Sequence, residues 1–197
     1  MVKRASSFFL GLVTVCNAAA PGQTVRIYDL AKVRPATLEN ALLVAGRILE
    51  AAGFQASWQQ GLASAPEGRL IDYSVSNSSR SRSPAERPYL VVALQAGNPA
   101  TVWPGCMGFA LPQAREGAHA IIFYDRVEQL WVASDIAPDL GTILGAVIAH
   151  ELGHVLMGSE EHSPTGLMKA RWGPKELRLI SCNRLQFTPE NKHAIGR

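Results

Sequence analysis

Charge is scarce in this sequence. Charged residues make up 18% of the 197, the formal net charge is +3, and no long basic run occurs. A nucleic-acid groove or an electrostatic membrane anchor needs clustered cations, so neither partner class is expected. Cysteine is rarer still: there are three, none in a Cys-x-x-Cys pair, which argues against a cysteine-ligated zinc module. No cluster of Asp and Asn stands at calcium-loop spacing. No internal repeat is visible, and no second hydrophobic core asks for a second domain. What remains, at 47% hydrophobic residues, is enough for one globular core.

The first twenty residues stand apart. "MVKRASSFFLGLVTVCNAAA" has Lys3 and Arg4, an apolar stretch from Phe8 to Val15, then small residues, the three-part layout of a secretory signal peptide. The apolar stretch is too short to cross a hydrocarbon core of roughly 30 Å as a helix. We expect a signal over 1–20, a single domain over 21–197, and a secreted product, extracellular or periplasmic, with no stable membrane insertion after cleavage. Cys16 leaves with the signal. Cys106 and Cys182 can then pair as a disulfide, worth about 4 kcal/mol in the chain-entropy model, or stay as two buried free thiols.

Hydrophobic periodicity orders the rest. "TVRIYD" (24–29) alternates like a strand. Over 36–52, Leu38, Leu42, Ala45, Ile48, Leu49 and Ala52 share one helical face, and Gly53 is the stop. "FQASW" (54–58) alternates again, which suggests a parallel strand-helix-strand unit. Residues 74–88, Ser/Arg-rich with two prolines, read as an exposed loop. "YLVVALQ" (89–95) is a buried central strand, and "GCMGFALP" (105–112) and "AHAIIFYD" (118–125) are two more. "APDLGTILGAVIAHELGHVLMG" (137–158) starts with helix-entry residues and ends on a stop glycine. It is apolar on nearly every face, so it should be buried. Glycine costs about 1 kcal/mol against alanine inside a helix, so Gly145 and Gly153 point to close packing.

The chemistry lies at the end of that helix. His150 and His154 stand about 40° apart at 100° per residue, one turn up the same face, so two imidazoles can converge on one ion. Glu151 projects about 60° from His154 and can flank that ion without binding it. Burying these three groups is costly without a partner, and zinc satisfies all of them. Zinc needs a third protein ligand and an open position for water. Gly158 can turn the chain back sharply, leaving Glu160, Glu161 and His162 as candidates, with His162 favoured. His119, in a strand, faces either solvent or the cleft. His193 belongs to a short terminal helix entered at Thr188 and Pro189, on the surface.

"HELGHVLMGSEEHSPTGLM" resembles the zinc signature of the metzincin metallopeptidases, His-Glu-x-x-His-x-x-Gly-x-x-His followed by a methionine turn. The resemblance implies zinc ligands at His150, His154 and His162, a general base at Glu151, and Met168 in the methionine turn. The spacing departs from the clan pattern. Gly158 lies four residues after His154 rather than three, and His162 eight after it rather than six. "MGFALPQAREGAHAIIFYDRVEQLW" resembles the region ahead of the active helix in matrixin-like members. That implies an edge strand over Cys106–Leu111, with Gly108 and Phe109 lining the cleft.

The expected fold is α/β and metzincin-like. A mixed, mostly parallel sheet packs on a first helix and on the buried active-site helix, and a small C-terminal subdomain follows Gly158. The expected function is zinc-dependent hydrolysis of peptide bonds in a peptide or protein substrate. A secreted binding protein with structural zinc and a zinc hydrolase of non-peptide amides are the alternatives.

Overall fold

A computed structural model describes residues 22–61, 89–97, 105–114, 119–136 and 138–196. The signal sequence expected over 1–20 and the Ser/Arg-rich segment over 74–88 lie outside the described residues. Five strands form one sheet: β1 (Gln23–Asp29), β2 (Ala56–Gln60), β3 (Leu90–Gln95), β4 (Gly108–Ala110) and β5 (Ala120–Phe123). Their order is β2-β1-β3-β5-β4. All neighbours run parallel except β4, which pairs antiparallel with β5 and so makes one edge.

The central strands are buried on both faces, which is why "LVVALQ" and "AIIF" read as unbroken apolar runs. Leu90, Val92, Leu94, Ala120 and Ile122 face the helical layer. Val91, Ala93, Ile121 and Phe123 face the other way, where Tyr28, Tyr89, Cys106 and Phe109 pack on them.

Helix α1 (Pro35–Glu50) buries Leu38, Ala41, Val44, Ala45, Ile48 and Leu49, close to the expected stripe. Gly53 ends it with φ of +88°. Phe54 still donates its N–H to Leu49, so β2 starts at Ala56, two residues later than the alternation suggested. Helix α2 (Tyr124–Val132) corrects the expectation of a strand through Asp125. The apolar run of β5 passes straight into Tyr124, Val127 and Leu130, so helical spacing begins before the strand pattern stops.

Helix α3 (Leu140–Met157) is the long buried helix. Asp139 caps it by accepting from Thr142 N at 3.1 Å, and Gly158 closes it in the left-handed region at φ +65°. It is apolar enough to cross a membrane by composition, yet 83% of it is buried against the rest of the fold. Its glycines set how near it lies. A β-carbon at Gly145 would stand 2.5 Å from the Ala41 carbonyl oxygen of α1. At Gly153 the close neighbours are the Phe187 ring and Met168 Sδ, side chains from beyond the helix. Two short helices follow, α4 (Pro174–Ser181) and α5 (Pro189–Ile195). The second was expected; the first was not.

Cys106 and Cys182 are both free thiols. The disulfide is not formed, and neither thiol is buried as the alternative supposed. Cys106 is half-buried, with Arg126 Nη1 3.2 Å from its sulfur. Cys182 is exposed at the end of α4.

Candidate metal centre

One turn of α3 brings His150 and His154 together, as the four-residue spacing dictates. Their Nε2 atoms are 3.2 Å apart. The Nδ1 atoms point away to backbone carbonyls: His150 Nδ1 lies 2.7 Å from Leu167 O, and His154 Nδ1 lies 2.8 Å from Ser159 O. A carbonyl oxygen only accepts, so both protons sit on Nδ1 and both Nε2 atoms present lone pairs to each other. Two facing lone pairs at that distance repel unless a cation lies between them. Nitrogens about 2.0–2.1 Å from zinc at a tetrahedral angle are about 3.3–3.4 Å apart, so the observed separation fits that ion.

His162 completes the group. Its ring centroid is 5.4 Å from that of His150 and 4.8 Å from that of His154. One nitrogen from each of the three rings lies within 4.8 Å of the other two. The longer loop returns His162 by local bonds. Ser159 N donates to His154 O after the Gly158 turn, and Glu161 N donates to Ser159 Oγ at 3.1 Å. Ser163 N donates to Met168 O at 2.8 Å. From α5, Asn191 Nδ2 donates to Ser163 Oγ at 3.1 Å, bracing the loop from the C-terminal end.

Desolvation favours the neutral form of these imidazoles, with His150 and His154 buried and His162 exposed. The His150 pKa falls to about 3, first through desolvation and then through the neighbouring His154. His154 and His162 are also lowered, again by desolvation first. Neutral imidazole is the form that binds a metal. Glu151 is fully enclosed, and burial alone pushes its carboxyl up to about 8. Its space comes from Gly108 of β4. A β-carbon there would stand 2.6 Å from Ile121 O and 3.0 Å from Glu151 Oε1.

Met168 is wholly buried, with its sulfur against Gly153, the residue just before His154. Trp172 packs edge-on against His150, centroids 5.8 Å apart, and its Nε1 donates to the same Leu167 carbonyl at 3.2 Å. Glu160 and Glu161 are exposed, and the three-residue cluster does not include them. His119 is buried, but its Nδ1 accepts from Val91 N at 3.1 Å, which ties it to the sheet. His193 is exposed on α5.

A cleft of about 1040 Å³ opens over the triad. Its lining includes the β4 edge, with Cys106, Gly108, Phe109 and Leu111, and the segment from Lys169 to Trp172. Both residues expected to line the cleft do so. The strand itself spans Gly108–Ala110, shorter than Cys106–Leu111, with Phe123 N donating to Met107 O and Leu111 N to His119 O on either side of it. Trp172, Asn191 and the two carbonyls were not foreseen. Only Trp172 carried a signal, as an aromatic residue just past the methionine turn.

No protein-family model matches this chain, and no curated protein matches it by sequence. Its fold does match a solved structure, the archaemetzincin of Methanopyrus kandleri. The fold is archaemetzincin-like. The TM-score is 0.53 at 14% identity, and the match covers 88% of this chain and 93% of that one. The likeness to archaemetzincin is one of fold. The zinc-type triad is read from this chain's own histidines.

Proposed function

We propose that this protein is a secreted zinc-dependent endopeptidase. The observation that carries the reading is the convergence of three neutral imidazoles at the floor of an open cleft, with an enclosed carboxyl beside two of them. His150, His154 and His162 would hold zinc. When bound, zinc supplies Lewis acidity toward a scissile carbonyl and an attacking water.

The chain's own groups do the rest. Beside a bound dication the Glu151 carboxyl would ionise, and as a carboxylate it takes a proton from the attacking water and returns it to the departing amine. The Leu167 and Ser159 carbonyls fix the imidazole tautomers and ring angles. The outer edge of β4 offers backbone groups to an extended peptide, which would add as one more strand. Gly108 keeps that strand close to Glu151. An open cleft favours catalysis over a structural metal, whose coordination is closed by a fourth protein ligand.

The test combines metal analysis with proteolysis. The purified protein should hold one zinc per chain and cleave a quenched peptide or casein. A chelator should abolish cleavage, and added zinc should restore it. Stoichiometric zinc with no turnover on any peptide would leave only the structural-zinc or non-peptide readings. Export is read separately, by sequencing the N-terminus of protein recovered outside the cytoplasm; an intact Met1 would remove the signal-peptide reading.

A further inference from the structure

One stretch of the cleft lining carries a charge that has no partner among the described residues. It runs from Lys169 to Trp172. Lys169 Nζ lies 2.9 Å from Glu176 Oε1, so its charge is already matched. The other oxygen of Glu176 accepts from Gly173 N at 2.9 Å, which pins the far end of the wall. Trp172 is fixed by the Leu167 carbonyl and by the His150 ring. Arg171 stands between these anchored neighbours, is exposed, and has no hydrogen-bond or ion-pair partner among the described residues. Arg171 lines the same cleft as the three histidines, and its neighbour Trp172 packs on His150.

The other charges of the cleft leave it unbalanced. Arg126, at the Cys106 end, donates to the Cys106 carbonyl and sulfur and stacks over the Phe123 ring. Among the described residues, Glu160 is the only exposed carboxylate lining the cleft. It comes from the His154–His162 loop and not from the 169–172 wall. A peptide added along β4 turns alternate side chains to opposite sides. A side chain that leaves such a strand toward the Lys169–Trp172 stretch of the lining can therefore reach Arg171. A guanidinium there matches a carboxylate in shape as well as charge.

We propose that Arg171 makes this cleft selective for substrates that present a carboxylate next to the cleaved bond. The proposal rests on the peptidase reading. Two sources share the chemistry: an Asp or Glu side chain, or the free C-terminus of a short peptide. The pair is solvent-exposed, so the expected gain is modest, about fivefold in kcat/KM, and weakened by salt.

The experiment uses the zinc-loaded full chain and quenched peptides blocked at both ends. One position at a time across the scissile bond carries Glu, Gln or Lys. A further Gln peptide has a free C-terminal carboxylate. At one position Glu should exceed Gln about fivefold at low ionic strength. The Glu/Gln ratio should fall to near one in Arg171→Ala, stay raised in Arg171→Lys, and turn in favour of Lys peptides in Arg171→Glu. A gain confined to the free-carboxylate peptide, and lost in Arg171→Ala, supports the proposal with the chain end as the source. Equal rates for all carboxylate and amide pairs would overturn it, as would a Glu advantage that survives Arg171→Ala. If the zinc-loaded protein cuts none of the peptides, the peptidase reading itself has failed and the selectivity falls with it.

Discussion

The two halves of the metal centre are built by different means. His150, Glu151 and His154 sit on α3, a helix capped at both ends and buried almost throughout. His162, Met168 and Trp172 come from irregular chain after Gly158, held by single hydrogen bonds from Ser163, Asn191 and Trp172. The helical half takes its geometry from the backbone repeat, so one residue sets the direction of the next. The irregular half has no such repeat, so each side chain is aimed by its own contacts. A defect in the first should be large and chemical. A defect in the second should be local and graded.

The largest expected effect is at Glu151, where the change is chemical and not structural. Glu151→Gln keeps the shape and removes the proton acceptor. Turnover should fall by about 10²–10⁴-fold while zinc content is unchanged. Cleavage assays paired with metal analysis check it. Loss of zinc in this variant would mean that Glu151 binds the ion, and the helical half would then hold three ligands where the triad assigns it two.

A middle effect tests the packing that carries the helix. Gly145→Ala gains roughly 1 kcal/mol of helix propensity, yet its new carbon would meet the Ala41 carbonyl at 2.5 Å and Val44 Cβ at 2.7 Å. Backbone does not yield as a flexible side chain can, so α1 and α3 must separate. Overpacking of that kind typically costs about 1–3 kcal/mol, and the net should be a destabilisation measured by denaturant unfolding. The surviving folded protein should bind zinc normally, because His150 lies more than a turn further along. A stabilised variant would show that propensity outweighs the close approach.

The same contrast explains what could be seen in the sequence. A helix entry just ahead of Leu140, Gly158 as stop and the four-residue step between His150 and His154 are all local patterns, and the structure keeps them. The unbroken run Leu90–Gln95 announced a strand buried on both faces. Where two patterns overlap, local spacing is ambiguous. Phe123 and Tyr124 continue the apolar run of β5, so the spacing alone does not show that the helix begins at Tyr124. Helix α4 is only eight residues long and buries just Glu176, Leu177 and Ile180, too few to mark a face. In the irregular half the Gly158 turn already favoured His162 as third ligand, and the motif it resembles added Met168. The groups this half contributes to fix His150 and His154 are backbone carbonyls, at Leu167 and Ser159, which any residue type supplies. The two cysteines gave a count but no distance, and the fold leaves them as separate thiols.

The smallest effect should come from Asn191, far from the ion in sequence and one step removed from it in space. Its amide donates to Ser163 Oγ, and its carbonyl oxygen accepts from the Thr188 hydroxyl at 3.0 Å. Asn191→Ala therefore frees the residue next to His162 and removes a cap of α5 together. His150 and His154 keep their own carbonyl partners, so two of three ligands stay aimed. Outer contacts of this kind typically change metal affinity by about 10–100-fold, and with one ligand loosened the low end is expected, about tenfold. Competition with a chelator of known affinity measures it. Folding stability should drop by only about 1 kcal/mol. If zinc binding instead collapses as fully as in His162→Ala, the loop has no residual order of its own, and the irregular half behaves as one cooperative unit with α5. If affinity does not move, Ser163 N and Met168 O alone suffice to aim His162, and the bracing from α5 serves only the helix it caps.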